Sequence, residues 1–120
     1  MHVVIFEVRP KAGCAQDYFD IAAALKPELE QIDGFISVER FASMTEEGKV
    51  VSLSFWRDEA AIKAWRETLH HRQAQKTGRR RLFEGYRLRI AEVVRDYGMT
   101  ERDEAPQDLP ESLLSQEPPA

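Results

Sequence analysis

Apolar residues follow two different periods along the chain, and the changes of period mark out its elements. Residues 2–9 hold Val3, Val4, Ile5, Phe6 and Val8, a β-branched and aromatic run that Pro10 ends. Both faces of this predicted strand are largely apolar, as expected of a strand buried on two sides. After a turn over residues 11–14 the period changes. Tyr18, Ile21 with Ala22, Leu25, Leu29 and Ile32 recur at helical spacing. Pro27 predicts a kink or restart within this helix, and Gly34 predicts its C-terminal stop. Residues 35–41 then alternate, Phe35, Ser37, Glu39 and Phe41 against Ile36, Val38 and Arg40, which predicts a second strand. A turn leads into a third strand over residues 49–56, read as apolar on both faces. Asp58 suits the N-cap of a helix that turns Ala61, Ile62 and Trp65 inward and continues to about Arg81. A last strand over residues 86–95 sets Tyr86, Leu88 and Ile90 against Arg87, Arg89 and Arg95.

Strand, helix, two strands, helix, strand is the order of the ferredoxin-like βαββαβ fold, of the α+β class. It predicts a four-stranded antiparallel sheet with both helices on one face. The other face is also apolar in the sequence, and an uncovered apolar sheet face calls for a partner. The simplest partner is a second copy related by a two-fold axis, so the expectation is a homodimer, sheet against sheet, closing into a dimeric α+β barrel around a pocket.

Composition narrows the function classes. A chain of 120 residues, 42% hydrophobic and 32% charged, makes one domain of an ordinary globular type. The net charge of −4 is unevenly placed: residues 101–120 carry six acidic side chains against Arg102, which leaves +1 on the first hundred. A near-neutral body gives no electrostatic footprint for nucleic acid. Residues 99–120, with four of the six prolines, read as an acidic tail beyond a domain of residues 1–98. Its leucines, Leu109, Leu113 and Leu114, leave open an arm lying across a partner subunit. No run approaches the roughly 20 apolar residues of a membrane helix. The opening residues enter strand-like sequence directly, with no secretion signal, and the single Cys14 suits a reducing cytoplasm.

The segments "GFISVERF", "LSFWRDEAAIKAWRE", "LHHRQAQKTGR" and "YRLRIAEVVRDYG" stand in an order and spacing similar to the antibiotic biosynthesis monooxygenase domain family. The resemblance runs over about residues 1–98. It implies a dimeric barrel of ferredoxin-like units and a place among proteins that include cofactor-independent oxygenases of polycyclic phenols and heme-degrading monooxygenases. The first expectation is a monooxygenase using O2 on a small aromatic or polyphenolic substrate, with no cofactor. The second is a non-catalytic dimeric barrel that binds a small hydrophobic ligand, as a stress-associated accessory protein. Heme degradation ranks third. The family's heme degraders place an asparagine where this chain has Phe6 and Glu7, and Gln75 stands at their heme-ligating position.

Cofactor-free oxygenation needs a dry cavity, a base poised near neutral pH and groups that stabilise a substrate anion. His70 and His71 are the candidate bases, since an unperturbed imidazole titrates near pH 6.5. About 100° separates neighbours on a helix, so at most one of them faces a shared cavity. Two solvated or capping histidines at a helix break are the plainer alternative. Trp65 and Phe6 are candidate walls for a flat substrate, Arg40 a candidate counter-charge for a phenolate, and Tyr86 a candidate hydroxyl at the mouth. For Trp65 and Tyr86 a plain core role stands beside these. Adjacent histidines on one helix diverge, and no HExxH motif accompanies them, so no metal site is expected.

Overall fold

A computed structural model describes the backbone of residues 1–75 and 82–106, and their side chains except those of residues 73–75. In chain order the elements are β1 (His2–Pro10), α1 (Ala15–Leu29), β2 (Phe35–Ala42), β3 (Val50–Trp56), α2 (Glu59–Gln75) and β4 (Phe83–Glu92). The strands form one antiparallel sheet in the order β2-β3-β1-β4, the expected ferredoxin-like arrangement. Residues expected to extend the second helix to Arg81, and the leucines of the tail, lie outside the described residues.

Residues directly opposite one another in antiparallel strands point to the same face. One row runs Arg40, Ser52, Phe6, Leu88 across the four strands, and the next runs Val38, Ser54, Val4, Ile90. Both rows look toward the helices. The other face carries Val3, Ile5, Val51, Leu53 and Phe55, which neither helix covers.

Two buried clusters join helices to sheet. Leu29, Trp56, Ala61 and Ile62 pack with Phe35 and Trp65, and Val8, Tyr18 and Val50 pack with Phe6 and Phe83. The first is built by a predicted device: the Asp58 carboxylate accepts the Ala61 N–H at 2.9 Å, capping α2 and directing Ala61 and Ile62 inward. Gly34 serves the same packing. Its φ of +94° suits a residue without a side chain, and a Cβ there would lie 2.8 Å from the Ala61 Cβ.

Four local expectations change. Pro27 sits inside the last turn of α1, which ends at Leu29, so Ile32 belongs to the turn that follows and not to the helix. A β-bulge between Phe35 and Ser37 breaks the simple alternation of β2. Phe35 therefore packs edge-on against Trp56, with ring centroids 5.3 Å apart, while Val38 and Arg40 share its face. β3 is not apolar on both faces, because Ser52 and Ser54 look toward the helices. β4 begins at Phe83, earlier than expected, because a second bulge at Arg9 and Pro10 lets pairing with β1 continue.

Candidate functional site

Between the two buried clusters the helices stand away from the sheet and leave a cavity of about 350 Å³. That is at the lower end of the size range of ligand sites, about 300–1,000 Å³. Its floor is the paired rows of the sheet: Val4 and Phe6, Ser52 and Ser54, Leu88 and Ile90. α1 supplies Tyr18, Ile21, Ala22 and Leu25 from its amphipathic stripe, and α2 supplies Ile62, Trp65, Arg66 and Leu69. Leu82 and Phe83 close one end. An ion pair between Arg72 and Glu28 ties α2 to α1. Most of the lining is buried or half-buried. Leu88, Ile90 and Arg66 are exposed, so the mouth lies between the edge strand β4 and α2.

Apart from the exposed Arg66 at the mouth, the charged and hydroxyl groups of the lining, Arg40, Tyr18, Ser52 and Ser54, lie toward the opposite end. Ser54 Oγ accepts the Trp56 indole N–H at 2.9 Å, which fixes a buried ring and leaves the serine's own hydrogen to donate elsewhere. Arg40, half-buried on the edge strand β2, lies over the Tyr18 ring at 5.9 Å, and its Nε reaches the Tyr18 hydroxyl at a long 3.5 Å. No carboxylate pairs with Arg40 among the described residues, and none lines the cavity. Glu39, its neighbour in sequence, points to the other face of the sheet.

The structure thus brings together Phe6, Trp65 and Arg40 from the residues singled out in the sequence. It does not bring in the histidines. His70 and His71 are exposed on α2, and neither lines the cavity. The reason is helical phase. Ile62, Trp65, Arg66 and Leu69 form the stripe facing the sheet, and the next two positions lie about 100° and 200° further round. Neither imidazole therefore faces this pocket. Tyr86, 66% exposed, stands outside the lining, its ring 5.6 Å from that of Phe6. The pocket's location also differs from the expectation: a single subunit forms it between sheet and helices, and no closure against a second copy is needed.

Ser52, Ser54, Leu88 and Ile90 join the site without having been singled out in the sequence. Their signal lies in "VVSLSFW", where hydroxyls occupy alternate positions of a strand whose other face is apolar.

The perturbed acids lie elsewhere. On the outer sheet face the Lys49 ammonium and the Arg89 guanidinium hold the Glu7 carboxyl below its ordinary pKa, and Arg9 does the same to Glu46. Among the described residues, no three His, Cys, Asp or Glu side chains come together as a metal site. No helix among them is long and apolar enough to cross a membrane.

Residues 1–77 match the antibiotic biosynthesis monooxygenase family. The chain belongs to that family. It is 46% identical over 94 residues to the jasmonate monooxygenase ABM of Pyricularia oryzae, an alignment covering 78% of this chain and 44% of that protein. The chain spans about half the length of the curated relatives it matches. Its fold is shared by the heme degrader MhuD of Mycobacterium tuberculosis, solved with two hemes in its active site (TM-score 0.67, 21% identity, 82% of this chain and all of that one). It is shared too by a mutant of SnoaB, a cofactor-independent oxygenase of Streptomyces nogalater (TM-score 0.61, 14% identity, 79% and 94% covered).

A heme in this family member would require an axial ligand from the protein. Among the described lining residues there is no histidine, cysteine or methionine, and the one tyrosine, Tyr18, has its hydroxyl facing Arg40. These residues do not fit a heme.

Proposed function

We propose that the chain is a monooxygenase that uses O2, without a bound cofactor, on a small aromatic or polyphenolic substrate held between sheet and helices. The observation that carries this reading is the ring-lined apolar cavity, with Phe6, Tyr18, Trp56, Trp65 and Phe83 around it, in a member of a monooxygenase family. A flat substrate packs against such walls edge-to-face or offset, and water is excluded as it enters.

The chemistry balances without an outside reductant when the reacting carbon is a CH2 flanked by aromatic rings. It loses a proton, and the anion passes one electron to O2. Substrate radical and superoxide combine to a peroxide, which takes up the proton, and loss of water leaves a carbonyl. One oxygen atom enters the product and one leaves as water. The described lining holds no histidine or carboxylate to take the proton, so water at the mouth accepts it. Arg40 and the Ser52 and Ser54 hydroxyls favour the anion electrostatically. Phe6 and Trp65 are the walls of this reading.

A second reading has one observation in its favour. The same lack of a base among the described lining residues suits a non-catalytic barrel that only binds a hydrophobic ligand. Incubation with anthrone under 18O2 separates the two. One labelled oxygen in the anthraquinone formed, with one O2 consumed per substrate above the enzyme-free rate, supports the oxygenase. Binding without accelerated oxygen uptake supports the second reading.

Residues 1–98 are the proposed catalytic unit, in the cytoplasm, and residues 99–120 its tail. Two copies are proposed to pair through Val3, Ile5, Val51, Leu53 and Phe55. Sedimentation of a stable single subunit at micromolar concentration would refute the pairing and leave the cavity intact.

A further inference from the structure

The floor of the cavity has a direction. Along the row Arg40, Ser52, Phe6, Leu88 the side chains pass from a cation, through a hydroxyl, to a ring and then an aliphatic group. The neighbouring row, Val38, Ser54, Val4 and Ile90, adds a second hydroxyl at β3 and is apolar elsewhere. Adjacent strands are about 4.8 Å apart, so each row spans roughly 14 Å from β2 to β4. On the sheet floor the charged end, at Arg40, is half-buried, and the apolar end, at Leu88 and Ile90, opens at the mouth, where the exposed Arg66 of α2 stands in solvent.

Arg40 is the part of this gradient that calls for an explanation. A half-buried guanidinium normally sits beside a carboxylate, because taking an unpaired charge from water is costly. Here the described residues offer it only a tyrosine ring and a long hydrogen bond from Nε to Tyr18. Its two terminal amino groups have no protein acceptor among the described residues. Ser52 stands directly opposite Arg40 in the β2–β3 ladder, its hydroxyl on the same face of the sheet. A guanidinium with two parallel N–H groups free is shaped to take a carboxylate.

We propose that the cavity takes elongated apolar carboxylates, bound with the carboxylate on Arg40 and Ser52 and the apolar body laid across Phe6 toward Leu88 and Ile90. This rests on reading the cavity as the substrate chamber. It adds that, in a substrate with a permanent carboxylate, Arg40 and Ser52 hold that group in place of the anion formed in the reaction, and the rest of the molecule extends toward the mouth.

Calorimetric titration with three probes tests the arrangement: anthracene-2-carboxylate, its carboxamide, and anthracene-9-carboxylate. The 2-carboxylate carries its charge at the end of the long axis and matches the row. It is expected to bind at least about fivefold more tightly than the amide, which lacks the charge. The 9-isomer, with its charge at mid-length, is expected to bind more weakly than the 2-isomer. Arg40→Gln should cost the 2-carboxylate about 10- to 100-fold and leave the amide within about threefold. Arg40→Lys should restore part of the preference. Circular dichroism confirms that each variant is folded, and Ser52→Ala supplies a milder perturbation, with a smaller loss confined to the carboxylates.

Equal binding of acid and amide, or an Arg40→Gln variant that keeps the preference, overturns the proposal. Either result leaves oxygen uptake with neutral anthrone free to succeed. Conversely, selective carboxylate binding with no oxygen uptake would retire the oxygenase and keep the anion subsite.

Discussion

Gly34→Ala tests how closely α2 is held to the sheet beside the cavity. Gly34 has a φ of +94°, where a side chain is strained, and its new Cβ would lie 2.8 Å from the Cβ of Ala61. Carbon atoms pack best at about 3.5–4.0 Å, so α2 and the β2 entry must separate by roughly 1 Å. Ala61 is only 3% exposed and lies in the cluster with Trp56 and Ile62, so the movement disturbs packed atoms. The backbone conformation costs about 1–2 kcal/mol and the overpacking about 1–3 kcal/mol. A loss near 3 kcal/mol lowers Tm by roughly 10–15 °C for a domain of this size. Gly48→Ala is the control. Gly48 has a similar φ of +83°, and a methyl group there would meet nothing within 4 Å, so it incurs the backbone cost alone. Thermal melts of both variants therefore separate strain from collision. If Gly34→Ala melts within about 3 °C of Gly48→Ala, the close approach of α2 to Gly34 is wrong.

Other consequences follow from the same geometry. Changing both His70 and His71 to alanine should leave substrate binding and oxygen uptake within about twofold, since neither lines the cavity; a tenfold loss would restore an imidazole to the chemistry. Asp58→Ala removes the α2 cap and should cost about 1 kcal/mol in chemical denaturation, while Asp58→Asn should cost less; equal losses would show that the ion pair of Asp58 with Arg57, 2.8 Å long, matters more than the cap. Glu7 is held below its ordinary pKa of 4.5 by Lys49 and Arg89, so its stabilising contribution is present above that value and fades as pH falls through the lower folded value. Glu7→Gln should accordingly flatten the stability profile as pH falls below the ordinary carboxyl range; an unchanged slope would mean that the outer-face cluster is screened by solvent.

The architecture was legible because each element carries a period and a punctuation. The second strand over residues 35–41, the helical stripe from Tyr18 to Leu29 and the Asp58 cap each appear where the sequence placed them. The site was legible only in part. Phe6, Trp65 and Arg40 reach the cavity because they sit on the stripes that face the opposite layer. The histidines stand out in the sequence as titratable side chains, but phase decides where a side chain points. Leu69 already occupies the inward position, which turns His70 and His71 outward. The bulge at Phe35 is hidden for another reason. An inserted residue shifts every later side chain to the other face, and nothing in "GFISVERF" distinguishes the shifted pattern from the regular one. The serines of β3 read in the sequence as small residues in an apolar strand. Their shared face makes them the hydroxyl part of the floor.

The claim on which the rest depends is that the space between sheet and helices is where the substrate sits. Ala22, on α1, lines that space without being buried in either cluster, so Ala22→Phe puts a ring into the cavity with little disturbance of the packing. Oxygen uptake with anthrone, compared between the parent chain and this variant at matched circular dichroism, is the direct measurement. The account predicts uptake by the parent above the enzyme-free rate and at least a tenfold loss on filling the cavity. Undiminished uptake by a folded Ala22→Phe variant would place the chemistry elsewhere on the molecule.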